Sequence, residues 1–150
     1  MLNNKDYCDY DTCVALKELG YNRGAYAYYF PNHKEDLIFN THQMRGCSIN
    51  EMLKGYNTYP KDVMTANFID APTLWEAQKW LREEKGIHIA PRIYLYHDIN
   101  LDEHTSWECT IYVEWSAIYT IGKSLTYEDA LLLGIKEAVK ILKENETTHK

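Results

Sequence analysis

Two stretches of this chain, Ile87-His-Ile-Ala-Pro-Arg-Ile-Tyr-Leu-Tyr96 and Trp107-Glu-Cys-Thr-Ile-Tyr-Val-Glu-Trp115, alternate apolar side chains with polar or tyrosine ones. A strand sends successive side chains to opposite faces, so this period implies a sheet with one apolar and one polar face. In the first stretch Ile87, Ile89, Ile93 and Leu95 form the apolar set, against His88, Arg92, Tyr94 and Tyr96. In the second, Trp107, Cys109, Ile111, Val113 and Trp115 oppose Glu108, Thr110, Tyr112 and Glu114. The apolar face must be covered by something.

Capping signals supply the cover. Thr73-Leu-Trp-Glu76, preceded by Pro72, has capping-box spacing and opens a helix that runs to Lys85 and stops at Gly86. Strands are predicted over 87–96, 107–117 and 118–124. Thr126 then caps a helix over 127–144, with Glu128 and Asp129 in its first turn and Lys140 and Lys143 in its last, as the helix dipole favours. The short connections between strands make an antiparallel meander with both helices on one face.

Upstream, a helix is predicted over 11–19, capped by Asp11 or Thr12 and ended by Gly20 in the left-handed conformation. Residues 25–30 and 37–40 read as a hairpin around Pro-Asn-His-Lys-Glu-Asp. Ser48-Ile-Asn-Glu51 has capping-box spacing for a short helix to about Lys54, and 55–67 reads as loop. The predicted class is therefore α+β with a mainly antiparallel sheet, in one domain of 150 residues. Its 1–70 portion is expected to pack alongside or across the helix-strand-strand-strand-helix unit of 71–145.

Composition narrows the function. Tyrosine is the excess residue, 13 against 4 Trp and 3 Phe. Rings with a polar handle suit half-buried surfaces and surfaces that meet a partner. A net charge of −6 argues against a general grip on nucleic acid, which needs Lys and Arg to neutralise phosphates. The acidic N-terminus and the lack of any run near ~20 apolar residues give no membrane contact and a cytoplasmic location as the expectation. The four cysteines, Cys8, Cys13, Cys47 and Cys109, show no paired CxxC spacing and are expected as free thiols.

Residues that could carry chemistry are scattered. His97, Asp98, His104 and Cys109 flank one strand connection, and Cys8 and Cys13 lie near the N-terminus, but neither set has the tight ligand pairs of a zinc module. No nucleophile elbow, phosphate-cradling loop or HExxH stretch is present. The sequence therefore predicts no metal, no cofactor and no catalytic residue. The candidate site is instead a binding face: His88, Arg92, Tyr94, Tyr96 and Tyr112 on the polar side of the sheet, open unless the N-terminal half covers it. Trp75 is an outlying anchor, because at 100° per residue it falls nearly opposite Leu74, Ala77, Trp80 and Leu81.

In the last helix an apolar arc takes in Ala130, Leu131, Leu132, Ile135, Ala138, Val139, Ile141 and Leu142, with Leu133 outside it. An arc that wide calls for cover on two sides, from the N-terminal half or another subunit. The expected partner is a protein, with homodimerisation a further expectation. The alternative is a nucleotide or single-stranded nucleic acid stacked on the tyrosines, with Arg92 meeting a phosphate.

Three resemblances bear on these expectations. The element order is similar to that of double-stranded RNA-binding domains, whose final helix starts with a lysine-rich stretch. Here Lys123-Ser-Leu-Thr-Tyr-Glu-Asp129 offers one Lys beside two acids. Ile121-Gly-Lys-Ser-Leu-Thr-Tyr-Glu-Asp-Ala130 looks like the strand-helix junction of HicB-type antitoxins, which implies an antitoxin as a further alternative. Over most of the chain, three blocks resemble a family of small proteins encoded by phages, prophages and mobile elements of gut Bacteroidetes. They are Ala15-Leu-Lys-Glu-Leu-Gly-Tyr-Asn22 with the tyrosine run after it, Ala71 to Ile89, and Thr126 to Leu142. That resemblance implies an accessory role and brings no activity or site residue with it.

Overall fold

The computed structural model describes residues 3–39, 68–97, 99–101, 103–114, 116–124 and 126–148. Over them the chain is α+β, with three α-helices and two three-stranded antiparallel sheets. It divides into two compact units, Met1–Thr73 and Leu74–Lys150. Among the described residues no helix is long and apolar enough to cross a membrane.

In the first unit a 3-10 turn, Asn4–Asp6, leads to α1 (Tyr10–Glu18). The cap of α1 is Asp9, not the predicted Asp11 or Thr12: Asp9 is still extended, and its Oδ1 accepts the Thr12 amide at 3.0 Å. Thr12 is already helical and buried, so its hydroxyl does not serve the entry. The exit follows the sequence. Gly20 adopts φ +96°, the Gly20 amide donates to the Lys17 carbonyl at 3.0 Å, and the Tyr21 amide reaches the Leu16 carbonyl at 2.9 Å.

Strands β1 (Ala27–Phe30), β2 (His33–Phe39) and β3 (Ile69–Ala71) form a sheet in the order β2-β1-β3. The hairpin is tighter than predicted, because His33 already pairs with Phe30 and only Pro31 and Asn32 remain in the turn. Residues 33–36 are thus strand, their charged side chains exposed along an edge. Asn40, the helix predicted near 48–54 and the loop of 55–67 lie outside the described residues. The core of this unit gathers Tyr7, Cys8, Cys13, Leu16, Tyr29, Phe68 and Ile69. The Cys8 carbonyl sits at its centre, accepting from the Tyr29 hydroxyl at 3.1 Å and the Cys13 thiol at 3.5 Å. Burial raises the pKa of both donors.

The second unit has the predicted order: α2 (Leu74–Lys85), β4 (Ile87–His97), β5 (Glu103–Val113), β6 (Ser116–Ser124) and α3 (Tyr127–Thr148). Helix α2 buries Leu74, Ala77, Trp80 and Leu81, the stripe its period predicts, and Gly86 turns the chain at φ +67° into β4. The sheet runs β4-β5-β6, antiparallel throughout. Thr126 Oγ1 caps α3 by accepting the Asp129 amide at 3.1 Å.

Three boundaries move. The connection expected over 97–106 shrinks, because β5 begins at Glu103 and pairs with β4 without a break from His97↔Glu103 to Ile87↔Val113. The chain leaves β5 at Glu114, φ +50°, where the sequence suggested continued strand, and β6 starts at Ser116. Helix α3 runs one turn past 144, to Thr148. Its buried face is narrower than the arc in the sequence. Ala130, Leu131, Gly134, Ile135, Ala138 and Val139 are buried, Leu132, Ile141 and Leu142 only half so, and Leu133 is exposed.

Candidate functional site

Where the helices stop decides which residues are free. A helix of 12 residues is about 18 Å long, whereas a strand of 11 residues spans about 37 Å. Helix α2, which feeds directly into β4, can therefore cover only about the first five residues of that strand. Helix α3 begins about two residues farther out, level with Ile93, the partner of Trp107. Ser124 at the end of β6 pairs with Trp107, and the Tyr127 ring meets the Trp107 ring edge-on at 5.3 Å. From there α3 heads back towards the start of β4. Gly134 lies so close to the sheet that a Cβ there would meet Cys109 Sγ and come within 2.6 Å of Ile89 Cγ2.

The apolar face consequently splits in two. Ile87, Ile89, Cys109 and Ile111 are buried, whereas Ile93 and Leu95 are 54% and 56% exposed. The alternation placed all of these beneath helices, and for Ile93 and Leu95 that expectation is overturned by the length of the cover. Among the described residues β6 pairs no farther along β5 than Trp107, and residues 94–97 and 103–106 there form a two-stranded ribbon. Its connecting turn carries Ile99 and Leu101, the latter at φ +64°, and both are largely exposed.

The opposite, tyrosine-bearing face is set by the β4–β5 register. His88 pairs with Tyr112, Arg92 with Glu108, Tyr94 with Ser106 and Tyr96 with His104. The Tyr94 and Tyr96 rings stack at 6.1 Å between centroids, and Tyr96 stacks on His104 at 5.3 Å. Ser106 Oγ, across from Tyr94, is buried with no hydrogen-bond partner among the described residues. Arg92 donates to Glu108 Oε2 at 3.3 Å, an exposed pair of modest energy. His88 and Tyr112 are half-buried at the inner end of the same face.

Of the six residues singled out from sequence, the fold thus gathers five along one face of β4 and β5: His88, Arg92, Tyr94, Tyr96 and Tyr112. Trp75 is not among them. It is 37% exposed, as the helical wheel predicts, but it belongs to α2, which packs with α3 on the apolar side of the sheet. His104 completes the ring stack and escapes sequence reading, because Glu-His-Thr-Ser carries no alternating pattern that marks it as strand.

Cys8, Cys13 and Cys109 are free and buried, and burial pushes the Cys109 thiol up to about 11, partly offset by a backbone hydrogen bond from Ala90. Cys47 lies outside the described residues. Among the described residues no three His, Cys, Asp or Glu side chains gather as metal ligands. Set against protein-family models, curated proteins and solved structures, the chain matches none.

Proposed function

We propose that the chain is a non-enzymatic accessory protein that binds a protein partner through the tyrosine-bearing face of the β4–β5 ribbon. The observation that carries this is a well-formed strand pair extending past its own core, with a ring stack on one face and exposed Ile93 and Leu95 on the other. Rings held in a stack lose little freedom on contact, so the entropic cost of ordering an interface is reduced. Similarity of three sequence blocks to proteins of phages and mobile elements supports an accessory role in such an element, acting in the cytoplasm. The nucleotide alternative has less support, because the Arg92 guanidinium it assigns to phosphate is engaged by Glu108.

Alanine at both Tyr94 and Tyr112 tests the assignment in a pull-down of the partner from host extract. The variant keeps the wild-type circular dichroism and loses capture at least about tenfold, as for interface anchors. Trp75→Ala captures as wild type does. Unchanged capture by the double variant refutes the assigned face.

A further inference from the structure

Sheet edges in this chain are treated unequally. In the first unit, β2 lines its edge with exposed Lys34, Glu35 and Asp36, and β3 is only three residues long. Both are common ways of blocking strand addition. In the second unit β4 is terminal in the sheet and 11 residues long, and its outer half, Ile93-Tyr-Leu-Tyr96, has no charged side chain. Among the described residues no strand pairs with it on its outer side.

The orientation of its backbone follows from two observations. Pro91 is opposite Cys109, and proline has no N–H to exchange, so this is a non-hydrogen-bonded pair. Antiparallel pairs alternate, so Ile87, Ile89, Ile93, Leu95 and His97 also turn their N–H and C=O groups away from β5. The Gln78 side-chain amide confirms the parity by donating to the Ile89 carbonyl at 2.8 Å. That bond occupies the Ile89 carbonyl, in the inner part of the edge beside α2. Farther out lie the Pro91 carbonyl and both groups of Ile93, Leu95 and His97.

We propose that β4 pairs antiparallel with β4 of a second copy of this chain, about a two-fold axis through Tyr94. In that register Ile93 of each copy exchanges both bonds with Leu95 of the other. His97 donates to the Pro91 carbonyl of the other copy, and the missing Pro91 N–H ends the ladder where the Gln78 bond begins. The edge is thereby self-complementary, which is what a two-fold interface requires. On one face the half-exposed Ile93 and Leu95 of both copies join into a single apolar patch. On the other, Arg92 comes opposite the Tyr96 ring of the second copy, a cation over an aromatic face. Each copy carries a net charge of −6, and the uncharged edge is where two such copies can approach.

Sedimentation equilibrium from micromolar to millimolar protein tests the pairing. Wild type shifts from 17.7 kDa to twice that mass as concentration rises. Leu95→Pro removes only an outward N–H, as Pro91 already does, so it stays folded by circular dichroism and sediments as a monomer throughout. Leu95→Lys, which keeps the backbone but sets a charge opposite Ile93 of the other copy within the apolar patch, raises the dissociation constant at least tenfold. Tyr94→Cys in a Cys47→Ser background fixes the register: a mild oxidant joins the two axial thiols in a dimer that reductant reverses, while Cys47→Ser alone and Leu95→Cys in the same background form none. A wild type that is monomeric at every concentration, or a dimer indifferent to both Leu95 variants, overturns the pairing. Failure of the partner assignment is distinguishable, since it appears as unchanged capture by the Tyr94, Tyr112 double variant while the Leu95 variants still dissociate the dimer.

Discussion

Cys109 lies where α3 comes nearest the sheet, under a glycine that leaves no room for a methyl group. Its thiol is buried, and its pKa rises from the ordinary 9.0 to about 11 in the folded chain. The folded state therefore holds this proton more tightly than the unfolded chain does. The resulting stability is complete below about pH 9 and is lost as pH rises through about 11. Cys13 and Tyr29 shift in the same direction and deepen the loss. The urea midpoint of wild type should fall across this window, and Cys109→Ala should show a shallower fall. At this scale the sequence was partly legible. Period two put Cys109 on the inner face, but the demand for glycine at position 134 depends on how closely two elements approach, which no local pattern encodes. The cap of α1 is a similar case, because Asp9, Asp11 and Thr12 are all good capping residues and only the backbone selects Asp9.

Between elements, alternation specifies which face a residue occupies but not how far that face is covered. Ile89 and Ile93 have the same type, strand and parity, yet one is buried and the other 54% exposed. Helix lengths make the difference, since α2 ends its reach near Pro91 and α3 starts level with Trp107. Ile89→Ala should accordingly cost about 2–5 kcal/mol of folding stability, and Ile93→Ala within about 0.5 kcal/mol, by urea denaturation. Equal costs would mean that the core continues beneath Ile93. Helices α2 and α3 were readable because the Thr126 cap, Gly86 and the 3.6-residue stripe agree with the fold. Strand β3 was not, because three residues before a proline carry too little pattern.

For the molecule as a whole, what the sequence showed of the site was its face. Five of six named residues share one side of β4 and β5, because the register of an unbroken ladder preserves the parity visible in the sequence. What it could not show was the edge. That β4 is terminal among the described strands, that Pro91 points its missing donor outward and that Gln78 occupies the Ile89 carbonyl are products of topology. The central claim is that the outer half of β4 is a bonded strand on one side and open on the other. Residue-resolved amide hydrogen exchange, followed by NMR at low and high protein concentration, tests it most directly. In dilute solution the Arg92, Tyr94 and Tyr96 amides exchange slowly and those of Ile93, Leu95 and His97 fast, and at high concentration the second set slows as well. Uniformly fast exchange along 92–97 in dilute solution, or slow exchange of Ile93 and Leu95 there, would contradict it.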